Sequence, residues 1–332
     1  MKIQHTLEMN PREFSLKPKF VERYKGLLGD RYDEFIRYSS AYPKRAIRVN
    51  TLKATVADVK KRMSDAWHLE TVPWCPEGFW ILGKGEIPRR DIGNTTEHAL
   101  GYIYIQEPAS MVPPLVLDPQ PGDVVLDMCA APGSKSSQIA QYMHNEGLLI
   151  ANEYTGSRIA PLAMNLQRVG SLNFVCTHMD GNRIRGLSFD RILVDAPCSG
   201  VGTIAKSQKT VQMWNPGMIR RLAKTQLNLL RNAYRLLKPG GTLVYSTCTT
   251  EPEEDEAVVS AFVEEHDDML IDEIELDIVR SRPVTEFEGR VFHPDVSRCL
   301  RIWPQDNDTE GFFVTRLKRM KGAGGSLPDR GG

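Results

Sequence analysis

Two of the six cysteines stand where sulfur can act as a nucleophile. Cys198 lies in Asp195-Ala196-Pro197-Cys198-Ser199-Gly200, and Cys248 in Tyr245-Ser246-Thr247-Cys248-Thr249. Each follows a short apolar run, 191–194 and 242–245, of the kind that forms a buried parallel strand. Ligands of open α/β sheets bind beyond the carboxyl ends of the strands, so both thiols are expected to face one pocket. A thiolate activated there, beside the Asp195 carboxylate, suits covalent catalysis. A buried strand cysteine packing as a small hydrophobe is the bland alternative. The strand-end position of Cys248, followed by polar Thr249 and Thr250, argues against it. Local pattern alone leaves open which thiol attacks.

A second stretch has the composition of a ligand loop. Asp127-Met128-Cys129-Ala130-Ala131-Pro132-Gly133-Ser134-Lys135 joins an apolar run to a helical one. Its small residues admit close backbone approach, and the helix start after it favours negative charge. It matches neither G-x-G-x-x-G nor a Walker loop, which disfavours an ordinary dinucleotide or nucleoside triphosphate. Glu153 follows Gly133 by 20 residues at the end of the next strand, where an acid binds ribose hydroxyls. Arg158 lies one turn into the following helix and is placed to orient Glu153 or reach the ligand. Asp180 ends the third strand. Any one of these acids alone reads more readily as a helix cap. Acids at successive strand ends, in register with the loop, point to a nucleoside carrying a positive or amino-bearing head.

The elements needed to hold these residues are legible in the apolar pattern. Strands are expected at 124–128, 148–152, 174–178, 191–194 and 242–245, and helices at 134–143, 157–169 and 216–237. The last helix should stop at Lys238-Pro239-Gly240-Gly241. This alternation predicts a doubly wound, mostly parallel α/β sheet. A helix at 253–266 should follow, then strands at 300–303 and 311–317 closing the sheet edge as a hairpin. The first 95 residues lack that rhythm. Helical spacing over 18–38, strands at 47–52 and 78–82, and a helix at 56–63 make a small α+β unit. We therefore expect a small α+β domain at 1–95, a bridging segment at 96–121 with a helix near 108–117, a ligand-binding domain at 122–320 and a disordered tail at 321–332.

Bulk properties narrow the classes. The 332 residues carry 42 Lys and Arg against 42 Asp and Glu, but the balance is uneven. Residues 1–62 hold 15 basic against 7 acidic side chains, net +8, and 251–288 hold 15 acidic against 2 Arg, net −13. The basic N-terminal stretch suits a phosphate backbone. The acidic stretch is expected to be exposed and to face away from any polyanion. No apolar run reaches the length of a membrane span and the N-terminus has no signal-peptide character. Six scattered cysteines without a C-x-x-C pair make zinc and disulfides unlikely partners of the fold, so no metal and a cytoplasmic location are expected. Nothing demands assembly, and a monomer is expected.

With these motifs in hand, the chain resembles the Sun-type RNA cytosine-5 methyltransferases, most of all archaeal tRNA-modifying members. The resemblance covers about residues 20–318 and rests on 127–135, 195–200 and 245–249, supported by Ile47-Arg48-Val49-Asn50-Thr51 and Glu310-Gly311-Phe312-Phe313-Val314. It implies a Rossmann-like class I methyltransferase fold, S-adenosylmethionine as cofactor and RNA, here tRNA, as partner. It further implies that Cys129, Ala130, Ala131, Pro132, Gly133, Ser134 and Lys135 hold the methionine part, Glu153 binds the ribose with support from Arg158, and Asp180 sits by the adenine. Asp195 would lie between cofactor and base. Cys248 would be the nucleophile and Cys198 would assist product release. Where many members carry a His after Arg301-Ile302-Trp303-Pro304, this chain has Gln305, to which no role is given.

The chemistry implied is consistent with those residue types. Carbon 5 of cytosine is a poor nucleophile until a thiolate adds at carbon 6. Charge then flows toward ring nitrogen 3, where a donor stabilises it; Asp195, protonated or sharing a proton, is expected to supply it. For RNA contact, Lys206, Lys209, Arg220, Arg221 and Lys224 are candidates near the thiols, Trp214 is a candidate for base stacking, and Lys17, Lys19, Arg23, Lys44, Arg45 and Arg48 for wider contact. Two other functions stay open on residues alone: amino-group methylation, which needs no thiol, and a non-catalytic RNA-binding protein. An rRNA substrate is the alternative to tRNA.

Overall fold

A computed structural model describes residue 7 and residues 15–85 and 91–321. The expected tail lies outside them apart from Lys321. The chain opens with two helices, α1 (Pro18–Leu28) and α2 (Tyr32–Ser40). A small unit follows: β1 (Arg45–Val49), α3 (Val56–Met63), β2 (Trp67–Val72), β3 (Cys75–Gly83), α4 (Thr96–Ala99) and β4 (Ile103–Ile105). Its four strands form an antiparallel sheet in the order β2-β3-β1-β4. β4, inside the segment read as a bridge, pairs with β1. The buried aromatic residues of α1 and α2 do not join the core of that sheet. Phe20, Tyr24, Tyr32 and Phe35 cluster with Val201, Ile204, Val211, Trp214, Ile219 and Trp303 of the second half.

After α5 (Val112–Leu117) the alternating pattern begins. It runs β5 (Val124–Asp127), α6 (Ser134–Tyr142), β6 (Leu148–Glu153), α7 (Gly156–Val169), β7 (Phe174–His178), β8 (Phe189–Asp195), α8 (Lys209–Met213), α9 (Pro216–Leu236) and β9 (Leu237–Thr247). Then come α10 (Glu256–Glu264), β10 (Met269–Asp272), the hairpin β11 (Glu286–Phe287) and β12 (Arg290–Val291), β13 (Leu300–Ile302), α11 (Pro304–Asn307) and β14 (Phe312–Arg319). The large sheet has the order β10-β14-β9-β8-β5-β6-β7, with β13 beside β14. Strands β5 to β9 are parallel, β14 runs antiparallel to β9, and β10, antiparallel to β14, runs in the same direction as the parallel set.

Alternation along each strand feeds two faces. Ile192 and Val194 meet Leu229, Leu230 and Ala233 of α9, while Leu193 and Val244 meet Val112, Val116 and Ile139. Each such buried aliphatic side chain stabilises the fold by about 1.5–3 kcal/mol. Asn215 starts α9 by accepting the Met218 N–H at 2.8 Å, and Pro216 at the first turn needs no N–H partner. The expected final hairpin exists: β14 pairs with β9 on one side, and its other side is shared by β13 over 312–314 and the unexpected strand β10 over 316–319, so both of these lie at the edge. Lys238 to Gly241 does follow the end of α9, as part of the irregular start of β9.

Candidate active site

The parallel strands bring the two thiols together. β8 ends at Asp195 and β9 at Thr247, paired side by side, so the loops carrying Cys198 and Cys248 leave the sheet as neighbours. Their Sγ atoms are 3.2 Å apart, and both residues are half-buried. Cys198 is pushed well above the ordinary thiol range by its hydrogen bond to Cys248 first, then by burial and by the charges on Cys248 and Glu254. Thr249 and Thr250, read as markers of exposure, are themselves fully buried.

Asp195 stands beside this pair. Its Oδ2 accepts from the Lys135 ammonium at 2.7 Å and its Oδ1 from the Ser246 hydroxyl at 2.8 Å. Burial acts to lower the Lys135 pKa, but the Asp195 carboxylate outweighs it, with Cys248 and Asp127 adding to the upward shift. Both carboxylate oxygens therefore already accept, one of them from a cation. The donor paired with Asp195 is Lys135, on the first turn of α6.

Backbone contacts lock the surrounding loops. The Gly202 N–H donates to the Cys248 carbonyl at 3.0 Å, and the Gly311 N–H donates to the Gly202 carbonyl at 2.9 Å. A Cβ at position 202 would stand 2.0 Å from the Gly311 oxygen and 2.8 Å from the Cys248 oxygen. Only glycine fits there. The sequence reading missed Gly202; its place four residues after Cys198 was the available signal.

The acidic run behind Cys248 is not a surface. Glu251, Glu254, Asp255 and Glu256 are fully buried. Arg301 donates Nε to Glu256 at 2.7 Å, Nη2 to Asp255 at 3.1 Å and Nη1 to the Thr250 carbonyl at 3.0 Å. Arg23 reaches Glu251 and Glu253, each at 2.8 Å, and Glu288 at 3.2 Å. A buried guanidinium, Arg301, and a half-buried one, Arg23, thus anchor the turn that presents Cys248. The expectation of an exposed acidic face is wrong for 251–256, because cations distant in sequence fold onto it. Gln305 is buried as well, with neither amide atom bonded.

The 127–135 loop lies with the ends of β5, β6 and β7 along the same edge of the sheet. Gly133 caps α6 at φ 102°, a conformation that excludes most side chains. Glu153 is buried at the end of β6. Its Oε1 accepts the Thr155 N–H at 2.7 Å, and its Oε2 lies 3.3 Å from Arg158. Arg158 also donates to the Ala131 carbonyl at 2.5 Å, so it braces both loop and acid. Asp180 accepts from Asn182 N–H and side-chain amide, both at 3.0 Å, and caps the turn after β7. Asp127, absent from the sequence-derived site, is buried with Oδ2 bonded to Ser136 at 2.6 Å and Oδ1 without a partner. Burial is the main reason its pKa rises to about 7. A buried carboxylate oxygen awaiting a donor, next to a small-residue loop and a strand-end acid, fits the ammonium and ribose of S-adenosylmethionine.

Several candidates for RNA contact fall elsewhere. Trp214 is buried, donates its indole N–H to Glu251 at 2.6 Å and packs edge-on against Phe20, so it offers no face to a base. Arg48 is fully buried, donating to Gln106 at 2.8 Å, to Ser137 at 2.7 Å and to Gln141. It ties β1 to α6 and cannot reach a phosphate. Arg23 is spent on its carboxylates, and Lys44 pairs with Asp308 at 2.6 Å. Arg45 is exposed; Lys206 is exposed and 3.8 Å from Glu310. Lys209, Arg220, Arg221 and Lys224 are exposed with no ion pair among the described residues, and so are Lys17 and Lys19. Lys17 donates to the Trp214 carbonyl at 2.8 Å, which brings α1 beside the start of α9.

A parallel sheet with an antiparallel strand β14 beside β9, a small-residue loop and acids at its carboxyl edge, and paired thiols on the loops after β8 and β9 define a Rossmann-like methyltransferase. Comparison with known proteins gives the family. Residues 114–318 match the model of the 16S rRNA methyltransferase RsmB/F family, and 16–108 match that of the N-terminal domain of the 16S rRNA methyltransferase RsmF. The chain belongs to the RsmB/F family. It is 42% identical over 309 residues to the tRNA (cytosine(49)-C(5))-methyltransferase of Pyrococcus abyssi, covering 92% of this chain and 97% of that protein. It is also 42% identical over 296 residues to the ribosomal RNA small subunit methyltransferase F of Shewanella amazonensis, covering 86% of this chain but only 60% of that one. A methyltransferase homolog from Pyrococcus horikoshii has a solved structure with TM-score 0.82 and 34% identity, covering 92% of this chain and 96% of its own. The solved NSun6 of the same organism shares the fold, with TM-score 0.79 at 22% identity over 93% of this chain and 99% of its own. No helix among the described residues is long and apolar enough to cross a membrane.

Proposed function

We propose that this protein methylates carbon 5 of a cytosine in tRNA, as a cytoplasmic monomer, through a transient bond between Cys248 and carbon 6. Family membership makes it an S-adenosylmethionine-dependent RNA cytosine-5 methyltransferase. The tRNA reading is supported by a match that spans 97% of the tRNA enzyme, against 60% of the rRNA enzyme. An rRNA substrate is the second reading, favoured by the family's own description.

The observation that carries the mechanism is the thiol pair, 3.2 Å apart, with a cation near one side and a carboxylate near the other. The Lys135–Asp195 pair is bonded to Ser246, two residues before Cys248, whereas Glu254 is bonded to the N–H of Ser199, next to Cys198. This assigns Cys248 as the nucleophile and Cys198 as a donor to it, an asymmetry that local sequence does not reveal. Lys135, held by Asp195, offers its proton to the ring as charge develops on addition. The cofactor, held by Asp127, Glu153 and the 129–135 loop, supplies an electrophilic methyl group. Cys198 removes the carbon 5 proton, and Cys248 leaves. Lys209, Arg220, Arg221 and Lys224 lie on elements after the Cys198 loop and suit the flanking phosphates, with the small N-terminal unit extending the RNA-binding surface.

Transfer of labelled methyl groups to purified tRNA and to 16S rRNA tests this. Methylation of tRNA, abolished by Cys248→Ala, is expected. Cys198→Ala should methylate slowly and accumulate a protein–RNA adduct on a denaturing gel. The opposite pattern exchanges the two cysteines, and methylation of rRNA alone selects the second reading.

A further inference from the structure

Glu254 is unlike its acidic neighbours. Glu251 and Glu253 share Arg23, and Asp255 and Glu256 share Arg301. Glu254 has no cationic partner among the described residues, although it is fully buried. Its Oε2 accepts the Ser199 N–H at 2.9 Å and the Gln226 amide at 2.8 Å. Its Oε1 has no partner, and neither does the neighbouring Gln226 Oε1. Two unsatisfied buried acceptors therefore lie on side chains bonded to Pro197 and Ser199, the residues on either side of Cys198. A buried carboxylate left without a counter-ion is costly, and such an unsatisfied group calls for a functional reason.

We infer that Glu254 is the proton store behind Cys198, receiving the thiol proton so that Cys198 can take the proton from carbon 5 of the methylated base. This rests on the roles proposed above for the two cysteines. Before reaction, the Cys198 S–H is directed to Cys248. Once Cys248 is bonded to carbon 6, that acceptor is lost. The Cys198 proton passes to Glu254 Oε1. The Cys198 thiolate takes the carbon 5 proton, the C–H electron pair forms the carbon 5–carbon 6 double bond, and the carbon 6–sulfur pair returns to Cys248. Glu254 then releases one proton to solvent for each methyl group transferred. It acts through Cys198 and is a positioning residue.

The surroundings set Glu254 to titrate near neutrality. Burial is the main cause of its rise to about 7; the Ser199 and Gln226 hydrogen bonds oppose it and the Glu251 charge adds to it. The other titratable groups facing it are Cys198, Tyr245 and Asp255. None of these is cationic. The store must be ionised to accept, so release should accelerate as pH rises through about 7.

The test follows formation and decay of the RNA adduct by rapid quench between about pH 5.5 and 9, in wild type, Glu254→Gln, Glu254→Asp and Cys198→Ala. Glu254→Gln keeps an acceptor for Ser199 and Gln226 but takes no proton. It should form the adduct at the wild-type rate within about threefold and resolve it at least about tenfold more slowly, without the midpoint near 7. Glu254→Asp should restore a pH-dependent decay. Decay in Glu254→Gln at the wild-type rate with the wild-type midpoint overturns the inference. So does a wild-type decay independent of pH, which decides the matter even if the Gln variant does not fold. If Cys198→Ala accumulates adduct while Glu254→Gln behaves as wild type, only Glu254 loses its role. If Cys198→Ala resolves normally, the cysteine roles fail and the inference with them.

Discussion

Replacing Arg301 with Met should destabilise the protein in a pH-dependent way. Arg301 is fully buried and donates to Glu256, Asp255 and the Thr250 carbonyl. Met fills much of the same volume but leaves two buried carboxyl groups facing each other. Removing one partner of a buried ion pair costs about 3–5 kcal/mol. At roughly 2–3 °C per kcal/mol, the melting temperature should fall by about 6–15 °C. Burial already holds Asp255 above the ordinary carboxylate range, with Arg301 pulling it down. Without the guanidinium, the folded variant should bind at least one proton that the unfolded chain lacks above about pH 5. Folding then takes up that proton, and the variant loses stability as pH rises. The deficit relative to wild type should shrink by about 1.4 kcal/mol for each pH unit lowered from 8 toward 6, per proton bound. Thermal unfolding followed by circular dichroism at pH 6, 7 and 8 reads this directly. A deficit under about 1 kcal/mol, or one constant across that range, would refute the reasoning.

Other consequences are open to simple measurement. Arg48→Ala should cost about 3 kcal/mol of stability by leaving buried acceptors on Gln106, Ser137 and Gln141 unpaired, yet leave the salt dependence of RNA binding unchanged. Asp127 must be ionised to receive an ammonium, so calorimetric affinity for S-adenosylmethionine should rise about tenfold from pH 6 to 8, a trend set by its pKa of about 7. Asp127→Asn should flatten it. Gly202→Ala should lower the methylation rate by about a hundredfold through displacement of the Cys248 backbone, while cofactor affinity measured by calorimetry stays within about threefold.

The central parallel strands were legible because both their faces are buried, which leaves near-continuous apolar runs such as Ile192-Leu193-Val194. β2 and β10 were not read. β2 mixes Trp67 and Val72 with half-exposed Leu69 and Glu70, and β10 is four residues within an acidic stretch. The thiols, the small-residue loop and Glu153 stood out because their types are unusual at strand ends. Asp127 opened the quoted loop yet escaped the site, since nothing in its spacing announces an unpaired oxygen. The largest error concerned charge. Residues 251–256 looked like a solvated face because Arg301 and Arg23, far away in sequence, supply the counter-charges. The signal was available: Arg301 sits between Leu300 and Ile302, and Arg48 between Ile47 and Val49, where an Arg within an apolar strand implies a buried partner.

The central claim is that sulfur at position 248 bonds to the target pyrimidine. Substrate RNA carrying 5-fluorocytidine at the modified position, incubated with the enzyme and S-adenosylmethionine, should give a stable adduct whose cross-linked peptide, sequenced by mass spectrometry, carries the nucleotide on Cys248. A nucleotide found on Cys198, or turnover of RNA with no adduct at either cysteine, would contradict it.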